Sequence, residues 1–304
     1  PNKGRLSDDV REMFDNAGLE VRSKGERALT ASLGGVFEAI LVRAQDIPEF
    51  VADGAADAGV TGLDLVRESG RPLEQLLDLG FGQCRLVVAA REESGIAEVG
   101  QLEAGTRVAT VFPGITREFF ERIGRPVEVV PVSGAAEIAP HLGIADVIVD
   151  LTSTGSTLRV NGMREIETVL ESSARLIAAP GTSTGARASE VGELVTALES
   201  VLRARGQRYV MANVPRAGLE RVKQVLPGLN GPTLVDILNG GSMVAVHAVV
   251  AAATLGRTIG ELKAIGAQGI LVTRIERLLP CRPPPCACAS PGTSPTCRLP
   301  IASA

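Results

Sequence analysis

The segment Val147-Ile-Val-Asp150 reads as a buried strand that runs straight into Leu151-Thr152-Ser153-Thr154-Gly155-Ser156-Thr157. Small hydroxyl residues and one glycine thus crowd a single turn before a helical pattern resumes. Backbone N–H groups and hydroxyls converging ahead of a helix can cradle a phosphoryl group, and the peptide dipoles add positive potential there. Such a cradle needs no lysine. Asp150, at the strand end, is placed to accept hydrogen bonds from sugar hydroxyls beside that phosphate. A Ser/Thr-rich surface turn with a helix cap fits the same letters, and the preceding Asp tips the balance toward a ligand.

Cations are sparser. Lys3, between Asn2 and Gly4, offers a point charge within a turn-forming run. Arg43 follows the apolar run Ala39–Val42 and precedes Asp46, a strand-end position that faces a ligand crevice in α/β folds. Arg27 lies in a polar stretch and by itself reads as a surface arginine. His141 and His247 are isolated and read as structural. No metalloprotease, P-loop or dinucleotide motif is present.

These residues need elements to hold them. Short β-rich runs at 39–42, 58–61, 85–89, 107–111, 127–132, 147–150 and 175–178 alternate with helical patterns at 46–52, 63–68, 116–123 and 135–142. That alternation implies βαβ units and a mostly parallel, doubly wound α/β sheet. A longer amphipathic stretch from Ser189 to about Arg205 stops at Gly206. Gly54-Ala-Ala-Asp57-Ala-Gly-Val-Thr61 echoes Gly143-Ile-Ala-Asp146-Val-Ile-Val-Asp150, which suggests two similar lobes facing each other. Beyond Arg208 the order is strand, helix, strand, strand, helix, strand, with Asn239-Gly240-Gly241 as turn chemistry. That βαββαβ order is ferredoxin-like.

Composition bounds the class. The 304 residues carry 31 Lys and Arg against 35 Asp and Glu, so no basic field invites nucleic acid. The apolar run Met243–Leu255, interrupted by His247 and Thr254, falls short of the roughly 20 residues that span a bilayer. Pro1–Leu6 does not read as a secretory leader, so a cytoplasmic protein without a membrane partner is expected. Cys84 is the body's one cysteine. Cys281, Cys286, Cys288 and Cys297 crowd a Pro-rich tail, 281–304, whose spacing matches no usual zinc pattern and which reads as disordered.

The runs Pro1-Asn-Lys-Gly-Arg-Leu, Leu41-Val-Arg-Ala-Gln-Asp-Ile-Pro, Asp57-Ala-Gly-Val-Thr-Gly-Leu-Asp-Leu and, above all, Glu137 through Leu158 resemble the ATP phosphoribosyltransferase family. So do Tyr209-Val-Met-Ala-Asn-Val-Pro-Arg, Pro227-Gly-Leu and Val244-Ala-Val-His-Ala-Val-Val. The likeness covers residues 1 to about 280 and matches the long, self-regulated form. It implies a two-lobed, periplasmic-binding-protein-like catalytic core. The expected division is 1–86 with 174–205 as the first lobe, 87–173 as the second, and 206–280 as a ferredoxin-like regulatory domain.

The resemblance further implies the first step of histidine biosynthesis. ATP and 5-phosphoribosyl 1-diphosphate give phosphoribosyl-ATP and diphosphate, with Mg²⁺. Carried over by position, Ser153, Thr154, Gly155, Ser156 and Thr157 grip the 5-phosphate, and Asp150, aided by Glu137, binds ribose hydroxyls. Lys3, Arg27 and Arg43 neutralise the departing diphosphate. Gly62, Asp64 and the strand end Thr110–Phe112 border the ATP site. L-Histidine is the implied inhibitor, with Asn213 and Thr233 as pocket candidates, in a homo-oligomer that is a dimer or hexamer. Where relatives often carry acidic or aromatic residues, this chain has Asn239-Gly-Gly-Ser-Met243.

Relatives also carry a short apolar strand before Pro-Asn-Lys-Gly, and restoring it ahead of Pro1 is expected to raise stability. A non-enzymatic bilobed solute-binding or amino-acid-sensing protein shares the architecture. It would lack the Asp150-to-Thr157 phosphate grip.

Overall fold

Apolar segments broken by single glycines carry the chain through two α/β lobes and a smaller sheet domain. The computed structural model describes residues 1–2, 5–25, 28–238 and 241–279. In the first lobe α1 (Arg5–Asn16) is followed by the antiparallel strands β1 (Val21–Ser23), β2 (Thr30–Leu33) and β3 (Phe37–Ile40). The β2–β3 turn needs glycine: Gly34 has φ +62°, and a Cβ there would meet Leu19 at 2.7 Å. Next come α2 (Ile47–Ala52), with Pro48 in its first turn, then β4 (Ala58–Gly62), α3 (Leu63–Ser69) and β5 (Glu74–Asp78). Gly70, at φ +63°, ends α3.

The second lobe holds β6 (Cys84–Arg91), β7 (Arg107–Thr110), α4 (Pro113–Arg122), β8 (Glu128–Pro131), β9 (Val147–Thr152), α5 (Ser156–Val160) and β10 (Met163–Ser172). Its sheet runs β10-β6-β9-β7-β8. Val88, Val108 and Phe120 pack one face, and Val87, Ile148 and Met163 the other. Burial on both faces explains why β6 and β9 are continuous apolar runs.

The chain then returns. Only Ser173 separates β10 from β11 (Ala174–Ala178), which lies between β4 and β5, antiparallel to both. Helix α6 (Ala188–Ala204) drives Leu194, Leu198 and Val201 into one core with Met13, Leu79 and Leu176. Truncating a fully buried leucine such as Leu198 to alanine costs about 2–5 kcal/mol.

The last domain comprises β12 (Gln207–Pro215), α7 (Leu219–Val225), β13 (Thr233–Asp236), β14 (Met243–Ala251), α8 (Leu255–Ala264) and β15 (Gln268–Arg274). Its antiparallel sheet has the order β13-β14-β12-β15. Val210, Val246, Val222 and Leu262 form its core on the helix side.

Two expectations are corrected. The sheets are not mostly parallel: β7 runs parallel to β8 and β9, while every other pairing is antiparallel among the described residues. In the β4-β11-β5 and β10-β6-β9-β7-β8 sheets the cause is the strands beside the lobe crossing, β6, β10 and β11, which run against their neighbours. Nor is 135–142 a helix. Ala135 sits in the left-handed region at φ +50° and only a 3₁₀ turn, Ala136–Ile138, follows. Helix α1, whose Leu6, Val10, Met13 and Phe14 recur at helical spacing, and the strands β1, β2, β5 and β10 lie outside the elements expected from the sequence.

One gap remains in the first lobe. An apolar cavity of about 500 Å³ separates β3 from β4, lined by Phe37, Ala39, Ala58 and Val60, with Pro1 at its side. Among the described residues the β4 edge facing it pairs with no strand.

Candidate active site

Strand β9 enters the site as Val147, Ile148 and Val149, all fully buried, and leaves the core at the half-buried Asp150. The turn that follows is internally braced. The buried Thr152 hydroxyl accepts the Gly155 N–H at 2.8 Å, and the Thr154 and Ser156 hydroxyls share a 3.0 Å hydrogen bond. Arg159 donates through Nη2 to the Thr154 carbonyl at 3.1 Å, and Asn161 through Nδ2 to the Thr157 carbonyl at 2.9 Å. Gly155 takes φ +71°, a conformation that strains other L-residues.

Ser153, Thr154, Ser156 and Thr157 are exposed. The N–H groups of Ser156 and Thr157, in the first turn of α5, have no acceptor inside that helix. Because α5 is only 5 residues long, the cradle consists of hydroxyls and amides rather than a long helix dipole.

Asp150 accepts the Leu151 amide at 2.8 Å. Burial pushes its carboxyl above the ordinary Asp range; the Leu151 amide opposes this and the Glu137 charge adds to it. Glu137, half-buried, is carried on the 3₁₀ turn behind Ala135. Ala135 is the one non-glycine residue with positive φ among the described residues. Holding it there costs on the order of 1–2 kcal/mol, local strain stored beside the acidic pair.

Arg43 is exposed just past β3. The Asn2 amide donates to the Val42 carbonyl at 2.8 Å, which ties the start of the chain to the residue before Arg43. Lys3 and Arg27 lie outside the described residues.

Asp64 is turned into the protein. It is 6% exposed, and its carboxylate accepts the Ser172 hydroxyl at 2.6 Å where the chain crosses between lobes. Gly62 is needed beside it, since a Cβ there would meet Asp64 Oδ1 at 2.3 Å. The Thr110 hydroxyl is also turned inward, accepting the Phe112 amide at 2.9 Å.

In the last domain Asn213 and Thr233 share the sheet face away from the helices. Asn213 pairs with Ala245, and Thr233 with His247, two residues further along β14. On the same face the Tyr209 hydroxyl and His247 Nδ1, the latter opposite Thr233, lie 2.8 Å apart.

Three charged residues at the loop escaped sequence reasoning. Arg159 could have been found, since it follows Thr157 by two positions. Arg85 and Glu165 could not, because only the sheet brings β6 and β10 beside the loop.

The metal question turns on donors. No group of three or more His, Cys, Asp or Glu side chains gathers among the described residues. Asp150 and Glu137 supply two carboxylates, enough for a Mg²⁺ that keeps waters and is completed by substrate oxygens. No helix among the described residues is long and apolar enough to cross a membrane.

A family model described as ATP phosphoribosyltransferase matches residues 43–200, and one described as the HisG C-terminal domain matches 204–277. An ATP phosphoribosyltransferase of Gemmatimonas aurantiaca is 70% identical over 286 residues, covering 92% of this chain and 98% of that protein. That of Halorubrum lacusprofundi is 49% identical with the same coverage. The Thermotoga maritima structure of an ATP phosphoribosyl transferase (HisG:HisZ) complex superposes with a TM-score of 0.57 at 27% identity. It covers 65% of this chain and 93% of that one. With the hydroxyl-lined turn inside the matched range and relatives of this identity matching along most of its length, this chain belongs to the ATP phosphoribosyltransferase family.

Proposed function

We propose that this chain transfers the phosphoribosyl group of 5-phosphoribosyl 1-diphosphate to N1 of ATP, the opening step of histidine biosynthesis. The adenine N1 lone pair forms the new bond to the anomeric carbon. The bond to the diphosphate oxygen breaks on the opposite face, and its electron pair leaves with diphosphate. The transition state resembles an oxocarbenium ion, so placement and charge balance matter more than a protein nucleophile.

Ser153, Thr154, Gly155, Ser156 and Thr157 hold the 5-phosphate, and Asp150 accepts from the ribose hydroxyls. Lys3, Arg27 and Arg43 neutralise the departing diphosphate. Mg²⁺, carried by the diphosphate and met by Asp150 and Glu137, would supply further charge neutralisation there.

The observation that carries this reading is the exposed hydroxyl turn set directly behind Asp150. A continuous absorbance assay for phosphoribosyl-ATP tests it, paired with titration calorimetry of phosphoribosyl diphosphate. Binding should vanish in Asp150→Ala. Undiminished binding in that variant rejects the assignment.

Around this site we assign 1–83 with 174–205 to one lobe, 84–173 to the other and 206–280 to a regulatory domain, the expected boundary at 86 moving because β6 begins at Cys84 and pairs with β9 and β10. L-Histidine would bind that domain near Asn213 and Thr233, in a cytoplasmic homo-oligomer, dimer or hexamer. Support comes from the match of the C-terminal family model to 204–277. Adding L-histidine to the same assay tests the inhibition.

A further inference from the structure

A carboxylate lies against the turn that is assigned to a phosphate. A Cβ built on Gly155 would meet Glu165 Oε1 at 2.5 Å and Arg159 Nη1 at 3.1 Å. Glu165 therefore touches the backbone of the turn itself. An unbalanced anion in that position would repel the dianionic 5-phosphate through only a few ångströms of partly desolvated protein, where charges interact several-fold more strongly than in water. Glu165 is not unbalanced. Its Oε2 accepts Arg85 Nη2 at 2.9 Å, and both side chains are partly shielded, at 37% and 28% exposure for Arg85 and Glu165. The two are not register partners: Arg85 lies opposite Glu171 on β10, and its side chain reaches along the sheet to meet Glu165, level with Ala89 four residues along the same face. Arg85 pairs with Thr152 across β6 and β9, and Glu165 pairs with Ala89 across β10 and β6.

We propose that Arg85 is a positioning residue of the phosphate turn. By pairing with Glu165 behind Gly155 it cancels a built-in negative charge and so sets the affinity for the phosphorylated end of the donor sugar. Glu165 in return fixes the guanidinium and fills the space that only a glycine at 155 leaves open. Arg159, tied to the Thr154 carbonyl, adds the net positive charge of the group. The inference rests on the reading of 153–157 as the 5-phosphate grip, and the experiment separates the two.

Steady-state kinetics of Arg85→Met, Arg85→Lys, Glu165→Gln and the double variant R85M/E165Q, with Thr157→Val as reference, decide the matter. In R85M the uncovered Glu165 charge should raise KM for phosphoribosyl diphosphate at least about tenfold, with KM for ATP within about twofold of the parent. R85K should fall between. Removing the anion as well, in R85M/E165Q, should return KM for the sugar donor to within about threefold of the parent. Rescue by the second substitution separates the uncovered charge from the loss of the guanidinium's own packing, which E165Q cannot restore.

A double variant no better than R85M, or equal rises for both substrates, overturns the proposal. Should R85M fail to fold, E165Q alone still decides: its donor KM should equal or fall below the parent value, and a tenfold rise overturns the charge argument. If T157V raises the donor KM while R85M does not, this inference falls and the turn assignment stands. If neither raises it, both fall.

Discussion

The Ser172 hydroxyl donates to the Asp64 carboxylate at 2.6 Å and accepts the Asp64 amide at 3.0 Å, joining the end of β10 to the start of α3. One hydroxyl thus serves as donor and acceptor at the point where the chain passes between lobes. Ser172→Ala leaves a buried carboxylate without that donor and an amide without that acceptor. Unfolding in urea should show a loss of about 1–3 kcal/mol. A midpoint equal to the parent's would mean water replaces the serine at no cost.

The lobes are also bridged by Glu68. Its two carboxylate oxygens accept the Gly114 and Ile115 amides at 2.9 and 3.0 Å, closing the N-terminus of α4 from across the molecule. Glu68→Ala should cost about 0.5–2 kcal/mol, and Glu68→Gln less. Amide exchange at Gly114 and Ile115 should quicken in E68A. The nearby Arg67–Glu118 pair, at 3.2 Å and well exposed, should contribute little when broken by Glu118→Gln.

Asp150 should trade stability for activity. Burial first, with Glu137 adding to it, raises its carboxyl above the unfolded value, so the folded state holds more protons across that interval. Stability from this group is complete below the ordinary Asp range and is lost as pH rises through the raised folded value. Asp150→Asn removes that decline. Its melting temperature should exceed the parent's at pH 7, the gap should close near pH 3, and turnover should collapse. A variant less stable than the parent at pH 7 contradicts the sign.

The cavity between β3 and β4 predicts a gain of function in stability. A short alternating apolar strand joined ahead of Pro1 would reach the open edge of β4, where its backbone groups find partners and its side chains find Phe37 and Val60. The extended chain should melt several degrees higher in a thermal scan. Identical midpoints refute the strand-acceptor reading.

Much of this was legible in the residues. Strand β9 and its turn stood out because a wholly buried strand must be apolar and must end abruptly in polar residues where it leaves the core. The alternating burial of β12 and β14 was equally plain. Strand β10, MREIETVLES, was not, because its charged residues and two register shifts blur the two-residue period. The placement of Asp64 was hidden for another reason. Its partner Ser172 is 108 residues away, and no local pattern reports a contact of that span. Arg85 and Glu165 were invisible for the same cause.

Because β11 sits between β4 and β5, those two strands have no shared neighbour until residue 178 has been made. During synthesis the second lobe, whose strands all lie within 84–172, can close on itself while the first waits half-built with unpaired edges. Chaperone capture and aggregation of nascent chains should concentrate in that interval, and a ribosome stalled before β11 emerges should carry one finished lobe and one unfinished one.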